Sequence, residues 1–572
     1  MCRIAGIIDS EKHYGELQLT VKAMCDVMAH GGPDDEGFFV EEEKGLALGH
    51  RRLALIDLSP AGHQPMFYNQ NQLAITFNGE IYNYLVLKAE LINLGFEFRS
   101  QSDTEVILGA YNAWGTESFN RLKGMFAFAI YDKHLSKTFL VRDQAGIKPL
   151  YYLLDNHKLV FSSEVRAFKQ AGLQLSENQN WKIYFLAFGH IPEPYTTLEK
   201  VEMLPKGHYL QWNNITETAE IKNFRKTAIA PKITDAATAQ GSIKETLTRA
   251  VKRHLISDAP IGVFLSGGID SSILTLLADQ AIHQGANGSS ALKTLSINFP
   301  ENQFSEQPYQ HQVVQRISGD HSEYLIDETV FNHHLPNTLQ AMDQPSMDGI
   351  NSWFVNYFAR QKGLKAVLSG IGGDELFGGY KSFKRMEIVQ VLAKLPRFIL
   401  KKGIYFNKPA LKRSYYLSYG NTIGKYLFLR GVYTPDEIAT LLDISVERVD
   451  NILRSIKSIQ PAQALTAAEE AAWLETSLYM QNQLLKDTDS MSMQHGVEVR
   501  VPFLDQDFMQ TVASIQAGIR YQEQKPKGLL IDSFTSILPK AIWNRKKMGF
   551  TFPFQIWLGT NEFFLNGLKT EN

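Results

Sequence analysis

The sequence predicts an α+β domain followed by an α/β domain that carries a helical extension. Three observations lead to this prediction. A chain of 572 residues is longer than one hydrophobic core usually serves. Short apolar runs separated by turn residues fill its first part, and strand-like runs alternate with helical stretches after a polar interval. We place the first domain at residues 1–215, a linker at 216–240 and the second domain at 241–572.

The first domain is predicted to be strand-rich, with stacked sheets and helices outside them. Apolar runs at 73–77 and 126–131 resemble strands, and the first run precedes a turn signal, Asn78-Gly79. Helical periodicity is present at 84–94 and 104–114, which favours helices packed on the outer faces of the sheets.

The second domain is predicted to contain a parallel sheet. Small and polar residues fill 216–240, where Ala230-Pro231 also indicates a linker. Beyond it, strand-like runs at 261–265, 292–299 and 365–368 alternate with helical stretches, as crossover connections require. The region 385–572 is predicted to be mainly helical.

Composition excludes several classes of protein. Apolar residues make up 44% and charged residues 21% of the chain, which disfavours both a disordered and an integral membrane protein. A formal net charge of -2 gives no sign of a positively charged surface that would bind nucleic acid. The chain start lacks a signal-peptide layout, and no apolar run is long enough to span a bilayer. We therefore expect a cytoplasmic protein without nucleic-acid or membrane partners.

The chain has only two cysteines, Cys2 and Cys25, and neither belongs to a cluster with zinc-ligand spacing. Both are interpreted as thiols. Removal of Met1 would leave Cys2 with a free α-amine, which titrates near neutral pH and can act as the base for its own thiol. Position alone does not distinguish such a nucleophile from an incidental cysteine.

The sequence around Cys2 resembles the opening of class II glutamine amidotransferases. Further blocks match in the family's order at residues 30–37, 49–53, 64–66, 78–83, 102–105 and 142–152. Their joint occurrence is far more specific than any single block. The resemblance implies an Ntn-hydrolase-like domain of stacked antiparallel sheets with outer helices.

The same resemblance implies how glutamine would be cleaved. The Cys2 thiolate would attack the glutamine amide, while the Asn78 side chain and the Gly79 backbone amide would hold the oxyanion. Taken singly, Asn78-Gly79 is more often only a hairpin turn.

Charged residues would select glutamine by its backbone groups. The resemblance implies that Arg52 grips the α-carboxylate and that Glu80 and Asp103 receive the α-ammonium group. Taken singly, Arg52 and Asp103 are more often surface charges. The chain departs from the family at Gly31, where an arginine is usual, and we interpret this as altered loop support with the nucleophile untouched.

A serine- and glycine-rich turn opens the second domain, between the strand-like run 261–265 and a helix at 273–282. Its predicted phosphate-binding residues are Ser266, Gly267, Gly268, Asp270, Ser271 and Ser272. Backbone N–H groups and the helix dipole would favour an anion here, although two glycines beside a serine also suit a plain loop. Because no Gly-Lys-Ser/Thr follows, the turn is not a Walker motif.

The turn resembles the pyrophosphate loop of ATP pyrophosphatases, which form adenylates. A second block, residues 367–380, matches the second nucleotide segment of asparagine synthetases, and further matches occur at 485–493, 498–505 and 546–550. The resemblance therefore covers nearly the whole chain. It implies an adenine nucleotide alpha hydrolase-like fold for the second domain.

The resemblance also assigns residues to ATP and magnesium. Those implied to line the adenosine pocket are Leu265, Ile297, Ser369 and Gly370. Asp270 and Asp374 would hold Mg²⁺ on the departing pyrophosphate. Lys527 lies where the family carries a lysine that neutralises charge, although Ile531 stands where an arginine is common.

Ile371 is the main departure from the family. Asparagine synthetases commonly carry a glutamate here, thought to position the acceptor and to help deprotonate the attacking ammonia. Isoleucine can do neither, so water, pyrophosphate or a neighbour such as Glu375 must take the proton. Either the same product arises with a rearranged base, or the acceptor is another carboxylate, on a sugar or a secondary metabolite.

The expected function is that of a glutamine-hydrolysing asparagine synthetase. Ammonia released from glutamine would cross a dry, apolar interdomain passage and attack β-aspartyl-AMP, with glutamate, AMP and pyrophosphate as the other products. A β-lactam synthetase-like ring-closing enzyme is an alternative, disfavoured by the intact Cys2, Asn78, Gly79 and Asp103. A non-catalytic sensor is another, supported only by Ile371. The oligomeric state stays open, with a homodimer as one option.

Overall fold

Two antiparallel six-stranded sheets form the first domain. The computed structural model describes residues 2–155, 157–225, 232–285, 291–457, 461, 464–522 and 525–558. The strands are β1 (Arg3–Ile8), β2 (Asp35–Glu41), β3 (Leu46–Arg52), β4 (Met66–Tyr68), β5 (Leu73–Ile81), β6 (Gly124–Asp132), β7 (Lys137–Arg142), β8 (Tyr151–Asp155), β9 (Lys158–Ser162), β10 (Val201–Met203), β11 (His208–Asn213) and β12 (Thr218–Asn223). Their orders are β10-β8-β9-β1-β3-β2 and β12-β11-β7-β6-β5-β4.

The sheets stack because successive strand residues face opposite sides. In β1, Ile4 and Ile8 join the apolar layer between the sheets, whereas Ala5 and Ile7 join the layer under the outer helix. The helices of this domain are α1 (Tyr14–Asp26), α2 (Tyr84–Asn93), α3 (Asp103–Trp114) and α4 (Trp181–Phe188). Helix α1 packs on the first sheet, and α2 and α3 pack on the second. The predicted stacked sheets with outer helices are confirmed.

The turn predicted at Asn78-Gly79 is wrong, because β5 continues through both residues. The ladder with β6 pairs Asn78 with Ala127 and Gly79 with Phe126. Gly79 has φ +152°, and a Cβ atom there would lie 2.1 Å from the Met125 carbonyl oxygen. The local Asn-Gly signal therefore reflects a close approach of two strands rather than a chain reversal.

A five-stranded parallel sheet forms the centre of the second domain. Its strands are β13 (Ile261–Phe264), β14 (Lys293–Asn298), β15 (Asp320–Leu325), β16 (Ala366–Leu368) and β17 (Glu498–Arg500), in the order β15-β14-β13-β16-β17. All neighbouring pairs are parallel, as the sequence predicts. In β16, Ala366 and Leu368 face one apolar cluster and Val367 faces another, so both faces of the sheet are covered.

Helices surround this sheet and continue as an extension. They are α5 (Ala236–His254), α6 (Ile269–His283), α7 (Gln307–Val314), α8 (Glu328–Ala341), α9 (Gly349–Gln361), α10 (Gly373–Phe377), α11 (Lys381–Leu392), α12 (Arg397–Lys401), α13 (Pro409–Lys412), α14 (Thr422–Arg430), α15 (Pro435–Leu442), α16 (Val446–Ser455), α17 (Ala467–Leu474), α18 (Lys486–Met493), α19 (Gln506–Ser514), α20 (Ala517–Arg520), α21 (Gly528–Ser533), α22 (Lys540–Trp543) and α23 (Phe554–Trp557). A π-helical segment, Glu475–Leu485, joins α17 to α18. None of the described helices is long and apolar enough to cross a membrane.

Part of the interval predicted as a linker, residues 216–240, is regular structure. It contains β12, which pairs with β11, and the start of α5, where the Asp235 side chain accepts a hydrogen bond of 2.8 Å from the Thr238 amide. Ala230-Pro231 lies outside the described residues.

Helix α4 ties the two domains together. It belongs to the chain before the linker, yet its buried residues Ile183, Tyr184 and Phe188 pack in the same apolar cluster as α11, α14 and α16 of the extension. The Val432 amide also donates to the Ala187 carbonyl at 3.0 Å.

Candidate active sites

Cys2 lies at the start of β1, with 8% of its surface exposed. Its backbone N donates to Asn78 Oδ1 at 3.2 Å, and its thiol lies 3.9 Å from the Leu53 carbonyl oxygen, as a weak donor. Burial raises the pKa of the Cys2 thiol to about 11. The thiol is therefore protonated at neutral pH and needs a base close by. Met1, whose removal is predicted, lies outside the described residues.

Asn78 carries a donor that suits an oxyanion. Its Nδ2 atom is buried and has no hydrogen-bond partner among the described residues, while its Oδ1 atom is held by the Cys2 amide. A buried, unpaired amide donor is costly unless a ligand uses it. Gly79 follows Asn78 in β5, so the two residues predicted to form the oxyanion hole lie beside Cys2.

Arg52 ends β3 with its guanidinium fixed by backbone carbonyl oxygens. Nη1 donates to Ser59 O at 3.1 Å, and Nη2 donates to Asp57 O. Both of these hydrogen bonds go to backbone carbonyl oxygens and not to a carboxylate. Its charge is therefore positioned without being neutralised, which suits the predicted α-carboxylate.

Glu80 and Asp103 are both buried, and both carboxyl groups feel the charge of Arg500 from the second domain. Asp103 Oδ2 accepts from the Ile81 amide at 2.9 Å, and Arg500 Nη2 lies 3.4 Å from Glu80 Oε1. Arg500 Nε also donates to Glu498 at 2.5 Å. Burial raises the pKa of Asp103 to about 7 and that of Glu80 well above its usual range. Three carboxyl groups around one guanidinium leave room for another cation, such as the α-ammonium of an amino acid.

Arg500 and Glu498 were missed as site residues. The sequence places them in the matching block 498–505, but only the parallel sheet brings β17 against Glu80. Arg500 also reaches the nucleotide side, because its carbonyl oxygen accepts from the Ser369 amide at 2.8 Å.

Gly31 has a physical reason for replacing the family's arginine. A Cβ atom at Gly31 would lie 2.7 Å from Arg3 Cγ, so glycine leaves space for that side chain. The buried Arg3 guanidinium pairs with Glu164 and Asp489, each at 2.7 Å. Asp489 belongs to the second domain, so Gly31 makes room for an ion pair between domains.

The serine- and glycine-rich turn joins β13 to α6 and lines a cavity of about 1290 Å³. The predicted residues that line this cavity are Leu265, Ser266, Gly268, Asp270, Ser271, Ile297, Ser369, Gly370, Asp374 and Lys527. Ser266 and Ser271 hydroxyls lie 3.0 Å apart at the start of α6. Gly267 and Ser272 are not among the lining residues; Ser272 is buried, with its amide bonded to the Gly268 carbonyl at 3.1 Å.

Asp270 and Asp374 both pair with Lys527, and Asp374 also pairs with Lys547. Lys527 is buried, and its Nζ atom pairs with Asp270 and lies 2.5 Å from Asp374 Oδ1. Lys547 Nζ lies 2.6 Å from the same Asp374 oxygen. Asp270 Oδ1 is buried without a hydrogen-bond partner among the described residues. This unpartnered oxygen, beside a second carboxylate, fits a magnesium ion that would take its remaining ligands from phosphate and water.

Ile371 and Glu375 line the same cavity as the aspartates. Glu375 is buried and accepts from Tyr380 Oη at 2.7 Å and from the Gly372 amide at 3.1 Å. Burial and the charge of Asp374 raise the pKa of Glu375 to about 7. The chain thus supplies a carboxyl group near the position where the family's glutamate is absent.

An apolar cluster lies between the two sites. This interdomain apolar cluster consists of Tyr82, Met125, Ala145 and Ile147 from the first domain and Leu295, Ala359, Leu364, Val367, Met480, Leu485, Met493, Val497, Val499, Val501 and Leu504 from the second. Met125 lies opposite Glu80 in the β5–β6 ladder. Val499 lines the cavity, and Ile371 packs against the cluster. The cluster therefore reaches from the oxyanion strand to the nucleotide cavity.

Comparison with known proteins gives two family matches, one in each half of the chain. The family described as "Glutamine amidotransferase domain" matches residues 1–224, and the family described as "Asparagine synthase" matches residues 242–569. The chain is 30% identical to asparagine synthetase [glutamine-hydrolyzing] 1 of Bacillus subtilis, over 98% of this chain and 88% of that protein. It is 26% identical to amidase chry2 of Gibberella zeae, over 98% of this chain and 90% of that protein.

A solved structure, the glutamine phosphoribosylpyrophosphate amidotransferase of B. subtilis with ADP and GMP, overlaps at 16% identity with a TM-score of 0.31. The overlap covers 57% of this chain and 81% of that one. The second family match spans more than half of the chain, and the B. subtilis relative is matched over 88% of its length. This chain therefore belongs to the glutamine-hydrolysing asparagine synthetase family.

Proposed function

We propose that the protein transfers the amide nitrogen of glutamine to aspartate, at the expense of ATP. The observation that carries this proposal is the interdomain apolar cluster, because it contacts the strand of Asn78 at one end and the nucleotide cavity at the other. Ammonia that crosses between the sites through this cluster would not enter water, where it would be protonated.

Glutamine hydrolysis would begin at Cys2. Once Met1 is removed, the α-amine accepts the thiol proton, and the thiolate attacks the amide carbon of glutamine. Asn78 Nδ2 and the Gly79 amide then hold the oxyanion, and ammonia leaves as the thioester forms. Arg52, Glu80 and Asp103 bind the α-carboxylate and α-ammonium groups, so that a free amino acid is selected over a plain amide.

Carboxylate activation would take place in the cavity of the second domain. Leu265, Ile297, Ser369 and Gly370 surround adenosine, and the turn at Ser266 and Ser271 binds phosphate. We assign Asp270 and Asp374 to Mg²⁺, which would neutralise charge on the departing pyrophosphate. The aspartate carboxylate attacks the α-phosphate, giving β-aspartyl-AMP and pyrophosphate.

Amide formation would follow when ammonia reaches β-aspartyl-AMP. The adduct carries a positive charge and must lose a proton before AMP departs. Water, pyrophosphate and Glu375 are the candidate acceptors, and Glu375 is the one that the chain itself supplies, beside Ile371. Its hydrogen bond from Tyr380 holds the carboxylate at this wall of the cavity.

The acceptor is the point at which a second candidate function arises. Ile371 stands where the family carries a glutamate, so a charged group that would face the acceptor is missing. A carboxylate other than aspartate, on a sugar or a secondary metabolite, is therefore the second candidate acceptor. In the purified protein, glutamine-dependent pyrophosphate release with each acid, followed by mass spectrometry of the amide, would decide. Asparagine formation supports the proposal, whereas amidation of another acid without asparagine would contradict it.

The division of labour has its own test. Cys2→Ala should abolish glutamate release from glutamine but leave ammonium-dependent pyrophosphate release. Loss of both activities in a folded variant would contradict two separate sites. The cytoplasmic location stays a prediction from the sequence, and the oligomeric state stays open.

A further inference from the structure

We propose that Lys547 and Arg545 bind the pyrophosphate end of ATP, carried on a segment that crosses the nucleotide cavity. We call residues 544–551 the strap. Residues of the strap that line the cavity are Asn544, Arg545, Lys547, Met548, Gly549, Phe550 and Thr551. The inference rests on the ATP site proposed above and adds two binding residues to it.

The strap is anchored at both ends. Before it, Ile542 of α22 is buried in the apolar cluster of β13 and α6. After it, Phe552 and Trp557 are buried with Phe299 in a separate cluster, which also contains the cavity-lining Ile297. Two anchors in different clusters hold the intervening residues across the cavity even though they form no regular structure.

Arg545 is joined to the phosphate-binding turn. Its Nη2 atom donates to the Gly267 carbonyl oxygen at 3.0 Å and pairs with Glu306. Its guanidinium carbon lies 3.8 Å from the centre of the Tyr309 ring. Its Nε atom is buried without a hydrogen-bond partner among the described residues. These contacts place a permanent cation against the turn, where phosphate oxygens would approach.

Lys547 extends from the strap toward Asp374. Its Nζ atom lies 2.6 Å from Asp374 Oδ1 and 3.1 Å from the Gly379 carbonyl oxygen, and 46% of its side chain is exposed. Lys527 already contacts that Asp374 oxygen. An exposed lysine that shares an acceptor with a buried one can turn to a new anion at little cost.

The ion pairs around the turn and Asp374 match each cation with a carboxylate. Lys527, Lys547 and Arg545 face Asp270, Asp374 and Glu306, three cations against three carboxylates. A triphosphate adds several negative charges, which a magnesium ion alone would not neutralise. Lys547 therefore has a function beyond its ion pair, because it can exchange the Asp374 oxygen for a phosphate oxygen.

The neighbouring lysine provides a matched control. Lys546 is exposed and does not line the cavity, so Lys546→Ala removes the same charge from the strap without removing a group that faces the nucleotide. Isothermal titration calorimetry with pyrophosphate, and separately with ATP, would measure binding in the wild-type full chain and in each variant.

We expect Lys547→Ala to weaken pyrophosphate binding about tenfold or more, as for loss of one hydrogen bond to a charged group, and Lys546→Ala to bind like the wild type. Lys547→Arg keeps the charge and should retain most of the affinity, which separates charge from packing. Equal affinity of the Lys547→Ala and Lys546→Ala variants would overturn the inference, as would equal losses in Lys547→Ala and Lys547→Arg. Failure of the wild type to bind either ligand would instead overturn the proposed ATP site.

Discussion

Asn78 is the residue whose surroundings most directly indicate catalysis. Its Oδ1 atom is occupied by Cys2, and its Nδ2 atom is buried and unpartnered among the described residues. Asn78→Ala should therefore lower kcat for glutamine hydrolysis about 100- to 1000-fold, the usual effect of losing one oxyanion donor. Glutamate release measured at saturating glutamine checks this, and an unchanged kcat would exclude Asn78 from the oxyanion hole.

Asp103 predicts a pH dependence of glutamine use. Burial raises its pKa to about 7, so the carboxylate is charged above that pH and neutral below it. Because only the charged form attracts the α-ammonium group, kcat/KM for glutamine should fall as the pH drops through this range. Asp103→Asn should be impaired at every pH and should lose this inflection. A wild-type profile that is flat from pH 6 to 8 would contradict the assignment; these limits are about one unit on either side of the shifted pKa.

At this scale the structure places several of the predicted site residues near one another, while their roles stay predictions. The Cys2 backbone contacts Asn78, and Arg52 and Glu80 are close enough to act electrostatically on the Cys2 thiol. Arg500 could not be predicted, since its role depends on a strand that is distant in sequence and brought to Glu80 by the fold. The reason for a glycine at position 31 could not be predicted either, because it depends on the space that the Arg3 side chain occupies.

Among the elements, β5 shows how one strand combines structure and chemistry. Gly79 has a positive φ and lies against the Met125 carbonyl, so Gly79→Ala should meet both backbone strain and a steric clash. We expect a loss of unfolding free energy of at least about 1–3 kcal/mol. Denaturant unfolding would measure it, and a variant as stable as the wild type would contradict the described strand geometry.

The pair Asn78-Gly79 inside β5 illustrates the limit of local signals. Asn-Gly usually indicates a hairpin, and here it lies inside a strand, because the tertiary pairing with β6 overrides local preference. Elements with strong periodicity were predicted correctly, as for α2, α3 and α6. The buried strands β13, β14 and β16 were also predicted to within about two residues, the usual uncertainty at element ends.

For the whole molecule, the interdomain apolar cluster predicts coupling between the two reactions. Val501 is fully buried in the cluster and does not line the nucleotide cavity. Val501→Phe should obstruct the proposed ammonia route, so that more glutamate is released for each pyrophosphate. Glutamate and pyrophosphate measured in the same reaction give this ratio.

The same substitution at Val512 serves as the control. Val512 is equally buried, but it lies in the apolar cluster of β13 and α6 rather than between the sites. Overpacking costs about 1–3 kcal/mol in either place, so both variants carry a similar stability penalty. If Val512→Phe changes the ratio as much as Val501→Phe does, obstruction of a route is not the cause.

Helix α4 has a practical consequence for dissecting the enzyme. Because it is encoded before the linker but fills a hydrophobic groove among α11, α14 and α16, a chain cut near residue 240 would strip the C-terminal fragment of part of its own core. Tyr426 and Leu427 would then be exposed to solvent, which favours aggregation. In truncated fragments, a loss of activity through misfolding could not be told from the loss of a catalytic group. Full-length variants with one site residue replaced are therefore better suited to separating the two half-reactions.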